Sequence, residues 1–163
     1  MLRVNNQLAK TAPCPCQSGE SYGNCCAPYH DKVRPAPTPV ALMRSRFSAY
    51  VLDLRVYLIN TWAPQTRPSQ LPPPSLDWVA LNVLEAPDPT KTVTPEKGTV
   101  HFKAIYQDGN TWGFLEENSR FEKIEECWYY VNGDVREGIL KPKRNEPCMC
   151  NSGKKFKACC GKG

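Results

Sequence analysis

Residues 14–26, CPCQSGESYGNCC, and residues 148–160, CMCNSGKKFKACC, write one pattern twice, C-x-C-x8-C-C, near the two ends of a 163-residue chain. Together they hold eight of its nine cysteines, and Cys127 is left over. Two close cysteine pairs joined by a turn supply the four thiolates of a tetrahedral metal site with little chain entropy to lose, and Ser18-Gly19 and Ser152-Gly153 give each copy its turn. The expected ligands are Cys14, Cys16, Cys25 and Cys26 in one set and Cys148, Cys150, Cys159 and Cys160 in the other. Two zinc ions per chain are expected, although four-sulfur ligation also suits iron and spacing does not separate the two metals. A segment of about twenty residues buries no core, so metal binding supplies its folding energy, roughly 10 kcal/mol or more.

Disulfides are the competing reading of these cysteines. The recurrence of the spacing opposes it, as does the start of the chain, MLRVNNQLAK, which lacks the apolar run of a secretory leader. No later segment approaches the ~18 apolar residues of a membrane span. A cytoplasmic protein is expected.

Sixteen prolines and a mean hydropathy of -0.52 indicate a chain rich in loops. Its length fits one domain with small appendages. Divided by composition, residues 10–34 form an N-terminal knuckle, 38–140 a middle domain and 143–163 a C-terminal knuckle. The net charge of +5 is uneven, with basic ends and an acidic middle. Two sites of four thiolates around a divalent ion would lower the total to about +1.

In the middle domain, Thr38 followed by Pro39 reads as a helix start, and Met43, Phe47, Tyr50 and Leu54 recur on one stripe. Asp53 punctuates a second helix that Pro64 ends, and residues 63–75 read as a loop. From Trp78 onward, four β-branched and aromatic runs are separated by turn signals at Pro87-Asp88-Pro89, Asp108-Gly109-Asn110 and Asn132-Gly133. Helices followed by antiparallel strands predict an α+β domain with a curved sheet packed on helices. Trp78, Trp112, Trp128, Tyr129 and Tyr130 are expected on its inner face.

The pattern C-x-C-x-S-G followed by C-C resembles the SEC-C motif, the metal-binding tail of the SecA preprotein translocase, which contacts the SecB chaperone and the ribosome. Two such motifs bracketing a middle region that contains ALMRSRFSAYV at 41–51 resemble the YchJ-type (UPF0225) family of small bacterial proteins of unassigned function. The resemblance covers almost the whole chain and implies an NTF2-like, cystatin-like cone for the middle domain. Gln17 and Glu20 depart from the commoner C-P-C-G-S-G-K in the first copy, and Met149 and Asn151 depart in the second, without disturbing a cysteine. Family relatives commonly carry Trp-His-Pro where this chain has Trp62-Ala63-Pro64, which weakens any catalytic role for that histidine.

Two functions follow. In the first, each terminus is a metal-folded docking element and the central domain holds the two apart, with Lys154, Lys155, Phe156 and Lys157 as the docking surface. Its partner would be a protein, and the SecA resemblance implies one associated with the ribosome or with export; the lysines also permit non-specific RNA contact. In the second, the cone holds a small ligand or a substrate in a pocket. Arg44, Arg46 and Tyr50 are the first candidates, joined by Trp62, His101, Trp112, Trp128 and Tyr130. Two arginines two residues apart on a helix point in opposed directions, so one is expected to be buried against a carboxylate or backbone carbonyls. The catalytic case is thin, because His30 and His101 are the only histidines and neither sits in a recognisable constellation. His30 is a possible substitute metal ligand, more readily explained as unliganded.

Overall fold

The computed structural model describes residues 7–91 and 95–162; residues 1–6, which belong to the stretch read for a leader, and Gly163 lie outside that range. Three helices precede four strands: α1 (Ala27–His30), α2 (Pro39–Val51), α3 (Arg55–Asn60), then β1 (Asp77–Glu85), β2 (Lys97–Asp108), β3 (Thr111–Ile124) and β4 (Cys127–Leu140). The strands form one antiparallel meander in chain order. Among the described residues, no helix is long and apolar enough to cross a membrane.

Helix α2 starts where the sequence places it. The Thr38 hydroxyl accepts the Ala41 N–H at 3.1 Å, and Pro39, with no N–H to satisfy, occupies the first helical position. The helix ends at Val51, short of Leu54. Asp53 adopts a left-handed φ of 55° that breaks the chain direction, and Leu54 then caps α3. Leu42, Met43 and Phe47 of α2 pack with Leu81, Val100, Ala104, Phe121 and Trp128 of the sheet in the main core. This is the expected cone of helices on a curved sheet.

Two expectations about the sheet need correction. Asn132-Gly133 is no turn, because β4 runs through it to Leu140, and the turn before it lies at Glu125-Glu126, both with positive φ (49° and 68°). That φ pair suits a two-residue hairpin, a job usually given to Asn-Gly, and Glu-Glu carries no such signal. Gly133 serves another purpose. A Cβ there would fall 2.1 Å from Oε1 of Glu117, so the missing side chain makes room for a buried carboxylate. The second correction concerns aromatics. Trp78, Trp128 and Tyr130 lie on the inner face with the helices, whereas Trp112 packs on the opposite face with Ala80 and Ile105, and Tyr129 alternates away from its two inward neighbours.

Gly133→Ala tests the close approach. An ordinary strand gains from losing a glycine, but here the added methyl should lower stability by about 1–3 kcal/mol, read as a lower urea midpoint.

Candidate functional site: two sulfur clusters and a cavity between helix and sheet

The two cysteine repeats fold alike, down to the backbone. Cys14 N–H donates to Glu20 O and Cys148 N–H to Lys154 O; Tyr22 N–H donates to Ala12 O and Phe156 N–H to Glu146 O. Each copy carries its second cysteine pair on a short 3-10 turn, Tyr22–Asn24 or Phe156–Ala158. Gly19 and Gly153 take the positive φ expected of them (93° and 82°).

Each fold gathers its four sulfurs within 4.8 Å of one another. Contacts of 3.5 Å (Cys16–Cys25) and 3.8 Å (Cys25–Cys26) in the first set match 3.5 Å (Cys150–Cys159) and 4.0 Å (Cys159–Cys160) in the second. A tetrahedron with metal–sulfur bonds of ~2.3 Å has edges of roughly 3.8 Å, so the donor sets fit a metal ion. Their protonation points the same way. Without a cation, S–H donation from Cys14 and then Cys26 holds the Cys16 thiol well below the ordinary range, and the same contacts push Cys26 up. Burial pushes Cys25 up to about 11. Four thiolates this close need a central positive charge.

The surroundings of the two clusters differ. Cys14, Cys16 and Cys26 are 4%, 0% and 1% exposed and belong to the main core, whereas Cys160 is exposed. Ser48 of α2 lies 3.4 Å from Cys26 Sγ and 3.6 Å from Cys14 Sγ. His30 bridges the first knuckle to α2. Its Nε2 donates to Ser45 O and its Nδ1 accepts from Tyr22 O–H, both at 2.8 Å; burial pushes the Tyr22 phenol up to about 12 and the His30 imidazole down. With both nitrogens taken, His30 is no metal ligand. The second knuckle is held by Phe156 against Trp112 (ring centroids 6.2 Å apart) and by Met149, over the outer face of the sheet. Phe156, expected in an exposed docking surface, is therefore an internal anchor, while Lys154, Lys155 and Lys157 remain exposed.

The middle domain does not hold the knuckles apart. Gln17 Nε2 donates to Cys150 O at 2.9 Å, Asn151 Nδ2 donates to Gln17 Oε1 at 2.8 Å, and Asn82 and Leu81 of β1 join the same cluster. Gln17 and Asn151 occupy the same place in the two repeats, both at positive φ (60° and 65°), where a glycine would be unstrained. Two of the four departures from the commoner motif thus meet each other as a clasp.

Arg44, proposed for the pocket, belongs to the first knuckle, where its Nη1 donates to Cys16 O at 2.9 Å. Arg46 is the buried arginine, 6% exposed, with Nη1 donating to Leu58 O and to Thr61 Oγ1, both at 2.7 Å. The expectation that one arginine would meet backbone carbonyls holds. Arg46 borders a cavity of about 260 Å³ between α2 and the sheet. Phe47, Trp78, Phe102 and Phe121 form apolar walls, Tyr50 stands half-exposed beside the helix, and Trp62, Tyr130, Glu117 and Ser119 supply the polar lining. His101, Trp112 and Trp128 are not part of it. His101 pairs at 2.8 Å with Glu116 on the outer face.

The charges in this cavity are not matched to one another. The Arg46 guanidinium lies over Trp62 (5.1 Å) and Tyr130 (4.8 Å), with no carboxylate at ion-pair distance among the described residues. Burial lowers its pKa from the ordinary guanidinium value. Glu117, 8% exposed, accepts from Tyr130 O–H (2.5 Å) and Ser119 O–H (2.9 Å), both at Oε1. The Trp62 indole N–H is buried with no acceptor. The sequence did not single out Glu117, because its burial depends on the register of β3 with β4 and on the room that Gly133 leaves.

Residues 38–133 match the family description "YchJ, middle NTF2-like domain", and residues 11–28 and 144–162 each match "SEC-C motif". A UPF0225 protein of Pectobacterium carotovorum is 41% identical over 91% of this chain and 97% of its own length, and one of Vibrio cholerae is 37% identical over 91% and 99%. The crystal structure of a SEC-C motif containing protein from Psychrobacter arcticus superposes with a TM-score of 0.68 at 29% identity, covering 96% of this chain and 99% of that one. The solution structure of a SEC-C motif containing protein from Rhodopseudomonas palustris gives 0.66 at 32% identity, covering 74% and 96%.

The two clusters should respond differently to mutation. Cys148→Ser is expected to lower bound metal from two equivalents per chain to one and leave unfolding of the middle domain unchanged. Cys14→Ser should lose the same equivalent and also destabilise the middle domain by several kcal/mol, because its cluster is part of that core. Metal analysis paired with urea unfolding monitored by tryptophan fluorescence checks both.

Proposed function

Because the chain belongs to the YchJ-type (UPF0225) family, with a SEC-C motif at each end of an NTF2-like domain, we propose that it is a zinc-dependent binding protein that takes a small molecule in the Arg46 cavity. The observation that carries this reading is the unpaired charge: a guanidinium 6% exposed, bordering a cavity, with no carboxylate at ion-pair distance among the described residues. Buried charges in stable cores are paired, and an arginine kept unpaired at the edge of a void has a cost that a ligand would offset. The zinc sites are structural in this reading. Both have four thiolates and no open position, so neither offers a site for water or substrate. Their eight free thiols suit a reducing compartment such as the cytoplasm.

An interaction role is favoured by one separate observation, the exposed Lys154, Lys155 and Lys157 on the C-terminal knuckle. Contact with an acidic protein surface through them would weaken with rising salt.

Reduced, freshly purified protein should contain two zinc equivalents, and iron in their place would overturn the metal assignment. For the cavity, a panel of anionic, neutral and cationic single-ring fragments is measured by saturation-transfer NMR. At least one class should bind the native protein and lose binding in Ala104→Leu, whose larger side chain fills the cavity from β2. Signals unchanged by Ala104→Leu would place binding elsewhere and sink the reading.

A further inference from the structure

We infer that the cavity selects a small aromatic carboxylate, bound with its carboxylate on Nε and Nη2 of Arg46 and with a hydroxyl or amino group reaching Glu117. This deepens, and rests on, the ligand-binding reading above.

The donors come first. Arg46 uses Nη1 alone for its two hydrogen bonds, leaving Nε and Nη2 without an acceptor among the described residues. Trp62 lines the cavity, but its Nε1 is buried away from the void and takes no part. Two free nitrogens on one guanidinium call for an acceptor with two oxygens and a negative charge. A carboxylate meets that description.

Two further contacts exclude other charges. An organic cation would normally lie over the aromatic faces, but those of Trp62 and Tyr130 are already taken by the guanidinium. A dianion such as a phosphate ester would place its second charge in the same small void as the Glu117 carboxylate, which costs heavily at low dielectric. With a single guanidinium to meet it, a monoanion is therefore favoured over a dianion.

The body and the far end follow from the rest of the lining. Phe47, Trp78, Phe102 and Phe121 bury a flat apolar ring well, and about 260 Å³ holds a single-ring molecule rather than a drug-sized one. Glu117 is saturated at Oε1 by Tyr130 and Ser119, and its Oε2 has no donor among the described residues. A ligand hydroxyl or amine would supply it.

The test uses the zinc-loaded full chain, with saturation-transfer NMR and quenching of tryptophan fluorescence as readouts. 4-Hydroxybenzoate is expected to bind at least about tenfold more tightly than the neutral 4-hydroxybenzamide, the usual worth of charged hydrogen bonds. Tyramine, cationic, should bind most weakly, and benzoate, which has no far donor, more weakly than 4-hydroxybenzoate. Arg46→Met should abolish the preference for the acid; its near-ultraviolet circular dichroism shows whether the core survives. Because the comparison among ligands is made on the native protein, it stands even if that variant unfolds. Equal or tighter binding of the amide or the amine would overturn the carboxylate assignment while leaving a ligand-binding cavity. Failure of every fragment, whatever its charge, would overturn both.

Discussion

The structure depends on a cluster of sulfur atoms in an otherwise apolar core. Cys14, Cys16 and Cys26 lie among Leu42, Met43, Phe47 and Trp128, so the first metal site is a wall of the middle domain. A tetrathiolate around a divalent ion carries a formal charge of about -2, which burial penalises unless polar groups face it. Ser48 approaches two of its sulfurs, Ser18 a third, and the Arg44 guanidinium stands at the Cys16 carbonyl. That local need explains the two arginines of α2. Arg44 serves the sulfur cluster and Arg46 turns the other way, toward the cavity, as opposed positions on a helix must.

What could be read from the sequence depended on how local its cause was. The cysteine spacing, the Thr38-Pro39 helix start and the Asp108-Gly109-Asn110 turn act over a few residues, and each appears where the pattern puts it. Asn132-Gly133 misled because its glycine answers to Glu117 on the neighbouring strand, a demand no local pattern records. Strand alternation excludes Tyr129 from the face that Trp128 and Tyr130 share, and whether Trp112 faced helices or the second knuckle depended on what covers the outer face. Phe156 carried the same ambiguity: beside three lysines it reads as part of a surface, yet it occupies the position that Tyr22 fills in the first repeat, and both rings turn inward. Comparing the repeats position by position was the available signal for that anchor.

The candidate cavity was half legible. Arg46, Tyr50, Trp62 and Tyr130 were named from residue type and helix geometry, and the structure gathers all four around one void. Glu117 and Ser119 were missed as lining residues because a strand places them there only through register with β2 and β4. His101 and Trp112 drop out for the same reason, one residue of alternation placing each on the outer face.

The clasp between Gln17 and Asn151 makes the folded chain a closed ring. With the proposed metals bound, each end module would be cross-linked through its sulfurs, and the two are hydrogen-bonded to each other over β1. A molecular motor that threads proteins from one end would therefore meet resistance at once. From the C-terminal side it must first part the clasp and strip a metal from the exposed cluster, with the sheet still intact behind it. From the N-terminal side the first cluster to give way is also a wall of the core, so the whole domain would yield with it. The same thirteen-residue device is thus a detachable seal at one terminus and a keystone at the other, and the direction of pull decides whether the chain is trimmed or destroyed.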